Sequence, residues 1–140
     1  MGSMDSDIAV VGVTISKRGE CLFLKRNNLP KNWCPPSGKL RYGEDPKEGV
    51  QREIFEETGL QASVLMAVDT WTGYHRDKEI LSISYVCEVV SKNVILSNEH
   101  SDFTWIPLKD LPQMTIETDF DTKNFLLFVE LAREFQKRKI

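Results

Sequence analysis

Histidine and cysteine are both scarce here: two and three residues respectively in a chain of 140. The three cysteines, Cys21, Cys34 and Cys87, are odd in number and widely spaced, with no C-x-x-C pair. They read as reduced thiols acting as small buried hydrophobes in a cytoplasmic protein, with no secretory signal expected before them. His100 stands alone and is taken as structural or exposed. No apolar run approaches the roughly 20 residues that span a bilayer, so no membrane partner is expected. There is no excess of positive charge either: 18 Lys and Arg stand against 21 Asp and Glu, for a net charge of −3. A nucleic-acid polymer, which demands a basic footprint, is therefore not an expected partner. Repeats, low-complexity tracts and internal linkers are missing as well, which leaves a single domain.

With 41% hydrophobic and 28% charged residues, the composition is that of an ordinary globular domain with a sizeable core. The opening MGSMDS formally fits a myristoylation pattern through Gly2 and Ser6. The second methionine makes Met1-Gly2-Ser3 read instead as a leftover of recombinant expression, with residues 4–140 forming the domain.

What is abundant is acid in one place. Gly38 to Leu60 reads GKLRYGEDPKEGVQREIFEETGL. Asp45 before Pro46, with Glu48 three residues on, carries the signals of a helix start. Gly59 after Thr58 is a helix stop, because glycine takes the left-handed conformation without a Cβ clash. On the helix between them, Glu53, Glu56 and Glu57 fall at i, i+3 and i+4 and share a face, with Val50 and Ile54 beside it as core anchors. Gly49 lies within the acidic face and lets another group come close. Like charges at that spacing repel by about 0.2–0.5 kcal/mol per pair. Three glutamates alone read first as a solvated surface; they also suit a hard cation such as Mg²⁺ or Mn²⁺.

The wider pattern decides between the two. Gly38, Glu44, Arg52, Glu53, Ile54, Glu56, Glu57, Gly59 and Leu60 match the Nudix box, G-x5-E-x7-R-E-U-x-E-E-x-G-U with U aliphatic, at every fixed position. The chain resembles a Nudix hydrolase of the MutT-like kind. The resemblance covers essentially the whole chain. It implies an α/β (α+β) fold, the Nudix-type α/β/α sandwich, with a mixed central sheet, a catalytic loop-helix-loop and a C-terminal helix. One departure is local: relatives usually carry W-x-x-P-G-G where this chain has Trp33-Cys34-Pro35-Pro36-Ser37-Gly38, so Ser37 replaces the first glycine.

Around the box the chain is strand-rich. Ile8–Ser16 and Cys21–Arg26 read as a hairpin, Asn27–Asn32 as loop with Pro30 as a breaker. Gln61–Thr72 and Ile80–Val90 read as strands joined by a turn over Gly73–Lys78. The second alternates, with Leu81, Ile83, Tyr85, Cys87 and Val89 on one half-buried side. Val94-Ile95-Leu96 fits a short edge strand, Phe103–Ile106 another strand, and Lys109–Pro112 a turn. From about Asp119 a helix is expected, with Phe120, Asn124, Leu127, Phe128, Leu131 and Phe135 as its core-facing stripe.

The resemblance implies hydrolysis of a phosphoanhydride in a nucleoside diphosphate linked to another moiety, by water attack at phosphorus. It implies Mg²⁺ (or Mn²⁺) held by Glu53, Glu56, Glu57 and the carbonyl of Gly38, with Arg52 orienting a catalytic glutamate and Glu44 as its acidic partner. An ordinary surface pair of Arg52 with Glu48 or Glu56 is the plainer reading. Glu99 resembles the acid on a later loop that serves some members as metal ligand or base. Glu53 is the competing base and Asp102 the reserve. For the substrate, a small nucleotide, Arg26 and Lys39 suit phosphate, while Trp33, Trp71, Tyr74 and Phe120 are candidates to stack a base. Asp119 and Asn124 resemble the region where some relatives read a nucleobase edge. Trp105 reads as strand core. No proline lies 15 or 16 residues past the box, where ADP-ribose enzymes carry one; His75 and Arg76 stand there. The alternative is a Nudix-fold nucleotide-binding regulatory module without turnover, which typically loses box glutamates. The hairpin strands could equally pair across a homodimer.

Overall fold

The computed structural model describes residues 4–29, 31–113 and 117–138. Met1–Ser3 and Pro30, read above as an expression leftover and a loop breaker, lie outside them. Among the described residues seven strands form one mixed sheet: β1 (Asp5–Ser16), β2 (Glu20–Arg26), β3 (Trp33–Cys34), β4 (Ser37–Arg41), β5 (Ala62–His75), β6 (Lys78–Val89) and β7 (His100–Pro107). Helix α1 (Pro46–Thr58) follows β4; a 3₁₀ turn, Leu108–Gln113, and α2 (Phe125–Arg138) follow β7. Among the described residues no helix is long and apolar enough to cross a membrane.

The sheet forks. β1 and β2 pair antiparallel at Ile15–Cys21, beside their turn. Farther along, β1 takes β4 (Val10 opposite Gly38) while β2 takes β3 (Leu24 opposite Cys34). β1 runs parallel to β6, which in turn pairs antiparallel with the edge strand β5. The fork sets the box glycine, Gly38, beside Val10 of β1.

Two cores lie on opposite faces of this sheet. On one, Val50 and Ile54 of α1 pack with Val10, Leu22, Leu24 and Tyr85. On the other, Phe125, Val129 and Ala132 of α2 pack with Val13, Ile15, Phe23 and Val86. Helix, sheet, helix is the expected sandwich. All three cysteines are buried free thiols, and burial pushes each up to about 12, which makes them unreactive.

Several elements differ from the sequence reading. α2 begins at Phe125, and its buried residues are Phe125, Val129 and Ala132. Of the expected stripe Phe128 does pack against the core, but Leu127, Leu131 and Phe135 face outward, 50%, 49% and 47% exposed. The segment FLLFVELA is apolar on more than one side, so periodicity offers two stripes. Packing takes the one whose small Val129 and Ala132 admit close approach to the sheet. β6 is buried on both sides, Ser82, Ser84 and Val86 as well as Tyr85, Cys87 and Val89, whereas Leu81 is 40% exposed. A strand covered by a helix on each face has no dry side and wet side to alternate between. The β5–β6 turn is tighter than expected, with Arg76 and Asp77 both at positive φ (52° and 64°), as a two-residue hairpin requires. Val94–Leu96 forms no strand. Instead the amide of Ile95 donates to the carbonyl of Thr58 (2.9 Å), satisfying a group that the end of α1 leaves open.

Candidate active site

α1 is fixed at both ends by its own sequence. The Asp45 side chain accepts from the amide of Lys47 (2.8 Å), Pro46 opens the first turn, and Gly59, at φ 75°, sends its N–H back to the Phe55 carbonyl. These caps set the rotation of the helix and hence where the three glutamates point.

They point to different places. Glu57 is 4% exposed and one of its oxygens accepts from the amide of Ser37 (3.3 Å). The carboxyl of Glu53, one turn earlier, lies beside it. Burial pushes the Glu57 carboxyl well above the usual carboxylate range, and the neighbouring Glu53 adds to the push. Burial also raises Glu53, against the opposing pull of Arg52. Two neighbouring carboxyls away from bulk water cannot both ionise at low cost, which favours a proton on the pair. Glu56 faces outward, toward Arg52 (2.7 Å) and Arg41 (3.6 Å).

Arg52 organises the group. Its Nε and Nη2 donate to the two oxygens of Glu44 (2.7 and 2.9 Å), Nη1 to Glu53 (2.9 Å) and Glu56 (2.7 Å), and Nη2 also to the Lys39 carbonyl (3.2 Å). A guanidinium has five N–H groups, and every one is used. Its fork on Glu44 holds that carboxyl down at about 2. The surface pair considered for Arg52 thus exists for Glu56, as one arm of a larger network.

Two glycines make room. A Cβ on Gly38 would run into the Glu53 carboxylate. A Cβ on Gly49 would strike Leu40 and come within 3.1 Å of Glu44, so the gap in the acidic face admits this chain's own Leu40 and Glu44.

The later acid sits apart. Glu99 lies exposed in the turn before β7, its carbonyl accepting from Asn27 (2.9 Å). Its charge reaches Glu57 as a minor part of that group's upward shift. Asp102 is exposed and bonds the amide of Phe103 (2.8 Å). Among the described residues, no three His, Cys, Asp or Glu side chains are already gathered as metal ligands. The donor set nonetheless fits a hard cation: the Glu53 carboxyl, partly buried, and the Glu57 carboxyl, buried, lie together and offer the oxygen ligands that such an ion would take. Gly38 keeps the approach to Glu53 free of side chain.

Beside Gly38 opens a cleft of about 280 Å³ that draws in Arg26, Ser37, Lys39, Trp71, Tyr74 and Phe120. Five of the residues proposed from sequence for substrate therefore share one wall. Asp119 lines an adjoining cavity of about 400 Å³, which has Trp71 and Phe120 in common with the cleft. Those two rings meet edge to face, 6.2 Å between centroids. Trp33 is elsewhere, packed on the α2-side core with Lys25 over its ring (6.0 Å). Trp105 packs on the α1-side core, as expected. Asn124 is exposed, and its carbonyl accepts from Phe128 in the first turn of α2.

The sequence reading missed Ser82, Ser84, Asp69 and Asp121, which also line these two cavities. The serines did leave a trace: they break an otherwise apolar strand.

The likeness to known proteins agrees with this arrangement. A family model described as NUDIX domain matches residues 5–127. An ADP-ribose pyrophosphatase of Methanocaldococcus jannaschii is 28% identical over 123 residues, 85% of this chain and 72% of that protein. The asymmetrical bis(5'-nucleosyl)-tetraphosphatase of Mus musculus is 32% identical over 104 residues, 68% of this chain and 69% of that one. Among solved structures, the MutT protein from Methanosarcina mazei Go1 aligns with a TM-score of 0.75 at 28% identity, covering 94% of this chain and 95% of that one. With the box intact on a capped helix and the sandwich around it, this chain belongs to the Nudix hydrolase family.

Proposed function

We propose that the protein hydrolyses a phosphoanhydride bond in a nucleoside diphosphate joined to a further group, with Mg²⁺ or Mn²⁺. The observation that carries this reading is the pair of partly buried Glu53 and buried Glu57, packed against Gly38 and tied to Arg52. Glu53, Glu56 and Glu57, the Gly38 carbonyl and, from its turn, Glu99 would hold the ion. When bound, the metal supplies positive charge against the phosphates and favours ionisation of a water.

The chain's own residues do the rest. Arg52 pins one oxygen of Glu53; once the proton held with Glu57 is gone, the other oxygen would accept the proton of the attacking water, with Glu99 as the competing base. Arg26 and Lys39, which have no ion-pair partner among the described residues, take the phosphates. Trp71 and Phe120 receive the flat part of the substrate, and Tyr74, 77% exposed, stands at the rim. The relatives named above act on an ADP-ribose and on a dinucleoside tetraphosphate. Their shared element, a nucleoside diphosphate bearing a second group, is the class proposed here.

A panel of nucleotides with Mg²⁺, with products identified, tests the reading. Wild type should release a nucleoside monophosphate or another phosphate product. Glu57→Gln and Glu56→Gln should suppress release; turnover unaffected by both changes would refute the metal assignment.

A further inference from the structure

Among the described residues two buried side-chain atoms lack a hydrogen-bond partner, Trp105 Nε1 and His100 Nδ1. A buried polar atom left unpaired destabilises, so each calls for a reason. Trp105 packs on the α1-side core with Lys92 over its ring (5.5 Å), and neither cavity of the candidate site draws it in. His100, which the sequence reading takes as structural or exposed, is half-buried at the start of β7. The strand register accounts for where it stands. Lys25 of β2 pairs with Asp102 of β7, but Arg26 pairs with His100, so Ser101 is an extra residue. In unbroken pairing Ser101 would stand opposite Arg26. Such a bulge re-aims a side chain, and here it sets an imidazole beside an arginine that lines the substrate cleft.

The turn before β7 is fixed through its main chain. The Glu99 amide donates to Ser97 Oγ (3.4 Å), the amide of Asn27 to the Glu99 carbonyl (2.9 Å), and Asn27 Nδ2 to the Asn98 carbonyl (2.7 Å). The amide of Ser97 donates to the carbonyl of Glu57 (3.3 Å), which ties this turn to the residue that carries the buried carboxyl. The Glu99 carboxylate, by contrast, has no hydrogen bond or ion pair among the described residues. Two successive residues thus each carry an unfilled polar group: a carboxylate, which only accepts, and an imidazole, which can donate. Their charges reach one another. Burial disfavours the protonated ring of His100, the charge of Glu99 favours it, and that of Arg26 disfavours it again.

We propose that His100 is a positioning residue for Glu99: when the Glu99 side chain turns in toward Glu57, Nδ1–H of His100 donates to its carboxylate and fixes its direction. This role rests on the hydrolase reading in one respect, that Glu99 serves the site beside Glu57. Imidazole ¹⁵N spectra of the full chain, recorded without and with saturating Mg²⁺ alone, test it apart from turnover. The chain has two histidines, so one variant assigns both rings. Mg²⁺ should move the His100 Nδ1–H signal in the wild type and leave it nearly unmoved in Glu99→Ala, a change at an exposed turn position. In turnover of a cleaved nucleotide, His100→Ala and Glu99→Ala should each lose about 10–100-fold in kcat. The double variant should lose no more than the larger single loss, because the two residues act as one unit. His100→Asn, whose amide nitrogen falls near the place of Nδ1, should recover most of the loss; His100→Gln, which reaches the place of Nε2, should not. The Asn and Gln pair decides the matter even where Ala destabilises the fold. A His100 signal that Mg²⁺ moves equally in both proteins, or in neither, or losses that multiply in the double variant, would overturn the proposal. Turnover that Glu57→Gln suppresses, alongside that result, keeps the hydrolase reading. A Glu99-dependent Mg²⁺ shift without turnover of any nucleotide removes that reading and keeps the role of His100.

Discussion

The two helices of the sandwich were built by different rules. α1 is the more polar; only Val50 and Ile54 anchor it as large apolar side chains, and it is held by Asp45, Pro46 and Gly59 at its ends and by Arg52 along its flank. α2 is the more apolar. It has no acid in its first turn, and its place is set by which stripe meets the sheet. A helix fixed by special residues keeps its orientation whatever packs against it. One fixed by packing alone is only as well defined as the contrast between its faces, and in α2 that contrast is weak.

Exchanging charges on α1 should give the largest effects. Glu57→Gln, measured as kcat with Mg²⁺ and a cleaved nucleotide, should lose about 10²–10⁴-fold, while the metal-free protein melts no lower than wild type because the replacement is neutral and nearly isosteric. Loss of activity together with a collapsed fold would show that the carboxyl is structural. Next comes the clamp: Arg52→Ala leaves Glu44 and Glu53 facing each other without their cation, and chemical denaturation should show about 3–5 kcal/mol of lost stability. If the loss stays under about 1 kcal/mol, the network is a surface pair after all.

α2 provides the counterpart at smaller scale. Val129→Ala, at a fully buried position, should cost about 1–3 kcal/mol, whereas Leu131→Ala, half exposed, should stay within about 0.5 kcal/mol. Equal costs would mean that the outer stripe is covered by something in solution.

The smallest effect is in pH. The folded protein holds a proton on Glu53–Glu57 that the unfolded chain, with ordinary carboxylates, has released by neutrality. Stability of the metal-free protein should therefore fall as pH rises, by up to about 1.4 kcal/mol per unit. The window from pH 7 to 8 isolates this slope, above the range of His100, whose burial lowers it, and below that of the buried thiols. Glu57→Gln should flatten the slope. Added Mg²⁺ should raise the melting temperature more at pH 8 than at pH 7, since the ion displaces that proton.

How much could be read in advance follows the same division. Both ends of α1, its glutamates and Arg52 were legible because each has a local chemical signature. So was the hairpin of β1 and β2, from its β-branched runs and polar turn. The cleft was legible in part. Arg26, Lys39, Trp71 with Tyr74, and Phe120 stand on four separate segments, and their convergence depends on the fork between β1 and β2, which no local pattern announces. The face of α2 and the double burial of β6 were not legible, since both are set by what lies across the sheet. Ser82 and Ser84 could have been singled out, as two hydroxyls on one side of an otherwise largely apolar strand.

The full occupation of Arg52 has a consequence for ionic strength. An arginine with all five N–H groups engaged inside the protein has none left to grip a phosphate. Attraction for a polyanion therefore falls to the cations at the cleft, where water and counterions can reach them. Screening acts on exposed charges within a Debye length of about 8–10 Å and hardly on buried ones. Added salt should weaken the hold on substrate while leaving the proton chemistry of Glu53 and Glu57 as it was, so that capture and cleavage respond to the medium separately.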